Sequence, residues 1–485
     1  MSIEWSGLSP ELLVRLDRSS RQPLRAQLET GMREAIRSGR LSAGERLPSS
    51  RELARVLGIS RGMVQECYGQ LLAEGYLTSR TGSATRVAAI GSQQAGDQPP
   101  AGPATVSPSA LRRPPEPPLI ADFVPGVPDL SSFPRTDWAW AIKQACTQAS
   151  SAELGYGDPR GSAVLREVLA GYLRRVRAAA ASPARMIIST GFAQGLNLAL
   201  GALGRHAGVT RVAFEDPGYG RTDANEVLRA VAAQGGLTIG PVPVDSSGLD
   251  VAALAASDAR VVVVTPAHQS PTGVVLTAAR RHALADWARR GGGFIIEDDY
   301  DSEFRYDKEP VGALQGLAPD RVFLLGTASK ALAPAVRLGW IHAPSQLAEA
   351  VAAEKEMSDR GSCTIDQLAL ATLLTTGRYD RHLRRMRTVY AARRTALTGA
   401  FAVHAPGVQL TGLAAGFHAV ASLPSSADEM AVIAATRERR VGMHGMGGYR
   451  GNPGIAAPPA LVMGFGNVRE RAIEPAVAAV ADLLS

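Results

Sequence analysis

Apolar positions recur along this chain with more than one period, and the changes of period divide it. Between Pro23 and Gly39, the residues Leu24, Leu28, Met32 and Ile36 fall four apart, as on one helical face. Pro23 suits the opening of that helix and Gly39 its end. Ser49 and Glu52 have the spacing of a capping box and predict a second, short helix through Leu57, with Gly58 turning the chain. Ser60 is the expected cap of a third helix, which carries Val64, Tyr68, Leu71 and Leu72 and stops before Gly75. The following YLTSRTGSATRVA alternates about a Gly-Ser turn and predicts a small β-hairpin wing. Two short helices joined by a tight turn make a helix-turn-helix, whose second helix enters the DNA major groove.

From Gly91 to Pro118 all periodicity stops, and Pro, Ala and Gly crowd a stretch that cannot bury a core. It predicts a semi-stiff spacer. Beyond it the pattern becomes one of continuous apolar runs, among them Val261–Val264, Phe294–Ile296 and Val322–Leu325, alternating with helical stretches. Runs with no solvent face predict a mostly parallel sheet covered on both sides. The last hundred residues read as a smaller α+β subdomain, in which the basic stretch RHLRRMRTVYAARR predicts a solvated helix face. The expectation is a multidomain chain: residues 1–90 a DNA-binding head, 91–118 a linker and 119–485 an α/β domain.

Composition narrows the classes. Three cysteines, Cys67, Cys146 and Cys363, lie far apart without metal-ligand spacing, as in a reduced, cytoplasmic protein with no metal site. The amino terminus MSIEWSG lacks the basic character of a signal peptide, and no apolar run approaches the ~20 residues of a membrane span. The net charge is +7, and residues 1–90 hold thirteen Arg and no Lys against nine acidic residues. Arginine suits phosphates and base edges, so double-stranded DNA is the expected partner of the head.

The chemistry concentrates in GFIIEDDYDSEF and RVFLLGTASKALAPAVRLGW. Ligands of a parallel sheet gather at the carboxyl ends of its strands, where Asp298 and Lys330 both fall. Strand alternation puts Asp298 and Tyr300 on one face and Asp299 on the other. A buried lysine is costly as a cation and reasonable as the amine of a Schiff base. An acid, a phenol and a lysine in one crevice suit pyridoxal 5'-phosphate: the acid keeps the ring nitrogen protonated and the phenol bonds the ring hydroxyl. The alternative is a plain buried salt bridge of Lys330 with Asp298 or Asp299.

Two resemblances sharpen this. LPSSRELARVLGISRGMVQECYGQLLAEGYL with TGSATRV resembles the winged helix-turn-helix of GntR-type bacterial regulators. It implies phosphate contact by Arg51, phosphate and base contacts by Ser60, Arg61 and Gln65, and approach of Gly82 to the minor groove. Gly62 and Ala84 depart from the residues common at those positions. Residues 119–485 resemble fold-type I aminotransferases, and the fusion resembles the MocR/GabR family. By that resemblance Lys330 would form the internal aldimine, Asp298 would bind the pyridine nitrogen, Tyr300 the ring hydroxyl, and Tyr219 would stack on the ring. The phosphate would rest on the amides of Ala193 and Gln194, on Thr327 and Arg337, and on Tyr156 from the partner subunit of a homodimer. Arg221 would face an incoming carboxylate, with Arg450 a possible substitute clamp.

Ser270 replaces the asparagine that working aminotransferases place beside the ring, and Leu461 and Val462 stand where those enzymes carry the arginine for the substrate carboxylate. His268 reads equally as a packed histidine or a ligand contact. The resemblance therefore implies a transcription regulator that senses pyridoxal 5'-phosphate rather than an enzyme. A sensor of an amino compound and an active aminotransferase that binds DNA are the alternatives.

Overall fold

The computed structural model describes residues 16–20, 22–79, 84–88, 118–219, 232, 235–306, 311–451 and 457–484. Two compact units divide the chain, one ending at Arg112 and the other beginning at Arg113. Gly82, Arg221 and all of the expected linker except Pro118 lie outside the described residues.

The first unit holds α1 (Leu24–Arg37), α2 (Ser50–Leu57) and α3 (Arg61–Ala73), then β1 (Leu77–Thr78) and β2 (Arg86–Val87). Both caps form as the sequence predicts. Ser49 Oγ accepts the Glu52 N–H at 3.2 Å, and Ser60 Oγ accepts the Met63 N–H at 3.3 Å. Gly58 closes α2 in the left-handed region at φ 61°, which costs a side-chain-bearing residue more than glycine. Leu28, Met32, Val64, Tyr68 and Leu71 interlock as the core. The stretch LSAGERLP is more than a turn. Leu47 N–H donates to Thr85 O and Val87 N–H to Glu45 O, both at 2.9 Å, so it adds an extended segment to the wing.

The second unit begins with β3 (Ala121–Asp122), α4 (Arg135–Gln148), α5 (Ala163–Arg177), β4 (Met186–Ser189) and α6 (Phe192–Ala207). It continues with β5 (Arg211–Asp216), β6 (Thr238–Asp245), β7 (Gly248–Leu249), α7 (Val251–Ala256), β8 (Val261–Val264) and α8 (Ala278–Arg290). Next come β9 (Phe294–Asp299), β10 (Val322–Thr327) and β11 (Gly339–His342). Among the described residues the main sheet runs β4-β11-β10-β9-β8-β5-β6-β7. Strands β6, β5, β8, β9 and β10 are parallel, and β11 runs against both β10 and β4. Strands β8, β9 and β10 are buried along their whole length, which explains their lack of polar alternation.

The remainder comprises α9 (Ala348–Asp359), α10 (Thr364–Thr375), α11 (Arg378–His404), β12 (Leu410–Thr411), β13 (His418–Ser422), α12 (Glu429–Glu438), β14 (Val441–Gly442), β15 (Ala460–Gly464) and α13 (Glu470–Leu484). Strands β12, β13 and β15 form a small antiparallel sheet. Strand β3 pairs in parallel with β14, so the first residues after the spacer are built into the C-terminal subdomain.

The basic helix α11 keeps the expected solvated face at Arg381, Arg384, Arg385 and Arg387, which are exposed, but not at Arg393. Arg393 is buried and donates to Asp129 Oδ2 at 2.6 Å and to Gly466 O. Arg385, Arg387 and Arg394 donate to the carbonyls of Ser132, Glu303 and Leu413. The helix is a strut whose guanidinium groups reach loop carbonyls, in the interior at Arg393 and at the surface at Arg385 and Arg387. Among the described residues no helix is long and apolar enough to cross a membrane.

Candidate functional site

The carboxyl ends of β9 and β10 open onto a cavity of about 420 Å³. Register pairs Asp298 with Leu325, and Lys330 follows β10 by three residues, so acid and amine converge on one wall. Ala193, Tyr219, Ser270 and Tyr300 also line the cavity, as do Thr327 and Arg337. The structure thus brings together most of the residues the sequence assigns to cofactor binding.

Asp298 is buried, and only one of its oxygens is used. Oδ2 accepts from the Tyr219 hydroxyl, while Oδ1 has no partner among the described residues. Burial pushes its pKa up to about 8, reinforced by Asp299, although Tyr219 and Lys330 pull the other way. Asp299 faces the opposite side of the sheet, as alternation requires, and is clamped by Arg177 at 2.7 and 2.8 Å. Lys330 Nζ donates to Gly126 O at 2.5 Å and forms no ion pair among the described residues. Burial holds its pKa below the usual lysine value, against the pull of Asp298 and Asp301. The salt-bridge alternative therefore fails on geometry, because the lysine is desolvated without a carboxylate partner.

An anion cradle lies on the far wall. Gly191, at φ 121°, precedes α6, and a Cβ there would lie 3.4 Å from the Arg337 guanidinium. No side chain caps this helix start, so its first amides remain open toward a negative group. Thr327 Oγ1 bonds Ser329 Oγ at 2.9 Å beside it. The Gln194 side chain turns back to accept the Thr190 N–H at 2.8 Å and reaches Asp359 at 2.7 Å, which leaves its backbone amide for a ligand. Arg337 is exposed, and its side chain has no hydrogen bond among the described residues.

Other expected contacts are arranged differently. The Tyr219 ring lies 5.5 Å from Phe192 with its hydroxyl on Asp298, and Tyr300 donates to His268 O at 3.1 Å. Tyr156 is 79% exposed under the Arg360 guanidinium and does not line this chain's cavity. Arg450 does not line it either and reaches Pro458 O at 3.4 Å. His268 proves to be a packed histidine, bonded to Asp301 at 2.7 Å and to Gly412 O at 3.1 Å.

Gly126, Ser329, His418 and Tyr449 line the cavity without having been singled out in the sequence. Of these, His418 left a legible signal, a single polar residue within the apolar run GFHAVA. His268, Asp301 and His418 offer donor atoms within 4.8 Å of one another. The His268 and Asp301 atoms nevertheless bond each other.

On the first unit, Arg51, Ser60, Arg61 and Gln65 are all exposed. Arg61, Gln65 and Gly69 succeed one another four residues apart on α3, and with Gly62 they leave a low ridge able to approach a groove closely. Arg25 and Arg33 are engaged by Glu29, Glu66 and Glu74, whereas the side chains of Arg51, Arg55 and Arg61 have no acidic partner among the described residues. Cations left unneutralised on one helix pair suit phosphate contact.

Both units match known protein families. Residues 24–87 match the model for bacterial regulatory proteins of the gntR family, and residues 126–446 match that for aminotransferase class I and II. The chain is 33% identical over 459 residues to the HTH-type pyridoxine biosynthesis transcriptional regulator PdxR of Corynebacterium glutamicum, covering 95% of each. It is 34% identical over 389 residues to the probable rhizopine catabolism regulatory protein MocR of Rhizobium meliloti, covering 78% of this chain and 77% of that one. The fold of the second unit is shared with kynurenine aminotransferase from Pyrococcus horikoshii, at TM-score 0.67 and 22% identity over 78% of this chain and 96% of that chain. It is shared also with LysN, the alpha-aminoadipate aminotransferase of Thermus thermophilus, at TM-score 0.66 and 22% identity over 76% and 92%. With a GntR-type head joined to an aminotransferase class I and II domain, and regulators of that same architecture matching along its length, the chain belongs to the MocR/GabR family of transcriptional regulators.

Proposed function

We propose that the cavity takes pyridoxal 5'-phosphate at Lys330 and that its occupancy is the signal this regulator transmits to operator DNA in the cytoplasm. The observation that carries this reading is the bare buried oxygen of Asp298 in the same cavity as a desolvated Lys330. The Asp298 oxygen lacks a donor and the Lys330 amine has only the Gly126 carbonyl among the described residues, and a protonated ring nitrogen with an aldehyde carbon would engage both at once. When bound, the group supplies a carbonyl carbon that joins a primary amine and a ring that withdraws electrons. Asp298 would hold the proton on the ring nitrogen and Lys330 would be the resident amine. The α6 amides, Thr327 and Arg337 would take the phosphate. In a homodimer the partner's Tyr156 would have room to reach it, being exposed here.

Sensing is favoured over turnover by Val462, which is fully buried and lines the cavity where the resemblance expects a carboxylate-binding arginine. The name of the Corynebacterium glutamicum relative, a pyridoxine biosynthesis regulator, supports the same choice. A second reading, an amine that joins the cofactor in place of Lys330, is favoured by the wall of His418, Tyr449 and Val462, which the cofactor contacts do not use.

Borohydride reduction of the purified protein should fix the cofactor to Lys330, read by peptide mapping. Label on another lysine, or none, would overturn the reading. At the head, Arg61→Ala should weaken operator binding by about 1–3 kcal/mol if Arg61 reads a base, measured at physiological salt. Equal weakening on every sequence would make it a phosphate contact, and unchanged affinity would remove it from the interface.

A further inference from the structure

His418 opens β13 opposite Gly464 of β15, is only 4% exposed and borders the same cavity as Lys330. Its Nε2 has no hydrogen-bond partner among the described residues. Its ring lies 4.5 Å from that of His268, tilted by 39°. His268 is itself locked by Asp301 and Gly412 O. The packing is specific, since a Cβ on Gly416, at φ +65°, would meet His268 Nδ1 at 2.6 Å. Beside His418 the wall is apolar at Val462 and phenolic at Tyr449.

We infer that His418 is the specificity-determining contact for a second ligand, a primary amine bearing a neutral hydroxyl group rather than a carboxylate. This rests on the cofactor reading above. With the Pro271 backbone bonded to the ring, the unpartnered Nε2 of the neutral imidazole offers one position to a hydroxyl, which can donate or accept there, but gives a carboxylate no counter-charge. Burial, with the His268 cation and Lys330 nearby, holds the His418 pKa well below its usual value, so the ring stays uncharged. The amine end of the ligand would exchange with Lys330. The new bond from its nitrogen to the cofactor carbon forms as the lysine bond breaks, its two hydrogens pass to the Lys330 nitrogen, and nothing is oxidised or reduced.

The test uses full-length protein loaded with pyridoxal 5'-phosphate and titrates aminopropanol, butylamine and β-alanine against the absorbance of the bound cofactor. Aminopropanol should bind wild type about tenfold more tightly than the other two. His418→Leu should reduce that preference to within about twofold, and His418→Gln, which keeps a donor and an acceptor, should retain most of it. No preference in wild type, a preference for β-alanine, or a preference that survives in His418→Leu would overturn the assignment. If the cofactor is not attached at Lys330, both readings fall. If it is attached and amines shift its absorbance independently of His418, only the present one does.

Discussion

Lys330→Ala should leave the fold and ligand-free operator binding intact while abolishing the response of operator affinity to pyridoxal 5'-phosphate. Folding loses little, because the amine is desolvated and its one partner among the described residues is the carbonyl of Gly126. The carbonyl left behind belongs to Gly126, which is half-buried on the cavity wall, where water can replace the amine. Signalling loses its covalent anchor. A ligand shifts an equilibrium only by its differential affinity for the two states, and Lys330 is the means by which occupancy would differ from its absence. Two tied loops could carry the change from the cavity: Gly218 N–H donates to Tyr449 O, and Gly451 N–H to Asp216 Oδ1, both at 2.9 Å. The measurement is operator affinity at fixed salt with and without saturating ligand. An equal response in mutant and wild type would place sensing elsewhere, and turnover of amino acids by wild type at an enzyme-like rate would establish catalysis instead.

Asp298→Asn should act in opposite directions on two observables. Cofactor affinity should fall by roughly 10- to 100-fold, because an amide cannot balance a protonated ring nitrogen and a hydrogen bond to a charged group contributes about 1.5–3 kcal/mol. Stability of the cofactor-free protein should rise, and the gain should grow with pH. Burial raises Asp298 to about 8, so between its unfolded value of 3.8 and that point the folded state holds the extra proton. Stability contributed at this site is therefore lost as pH rises through that window. Asparagine has no such loss, so the unfolding free energies of mutant and wild type should diverge from pH 5 to pH 8, by a few kcal/mol at the upper end. Parallel profiles would mean that Asp298 ionises freely and that the pocket is wetter than its geometry indicates.

Much of this was legible in the residues. The caps at Ser49 and Ser60 are local, and a side chain three residues from the amide it accepts needs no tertiary partner to be recognised. The placement of Asp298, Asp299 and Lys330 followed from strand alternation and from strand ends, which depend on backbone geometry alone. What eluded sequence reasoning involves groups far apart along the chain. Gly126 accepts from Lys330 across 204 positions, and Arg393 meets Asp129 across 264. Residues Ala121–Asp122 open the second domain in the sequence, but nothing there shows that they pair with β14, more than three hundred positions on. That Arg385, Arg387 and Arg394 hold loop carbonyls was not legible either, because sequence shows a side chain's charge but not which carbonyls lie within its reach.

By itself the sequence determined two architectures, a groove-reading helix pair and a parallel sheet with an acid and an amine at its strand ends, because both follow from periodicity and short-range spacing. Only the tertiary structure decided the electrostatic state of the site. It left one Asp298 oxygen bare and Lys330 without a carboxylate, committed Asp299 to Arg177, and set the uncharged His418 against a locked His268. Charge on a buried group depends on desolvation and on neighbours brought in from distant segments, and neither quantity exists until the chain has folded.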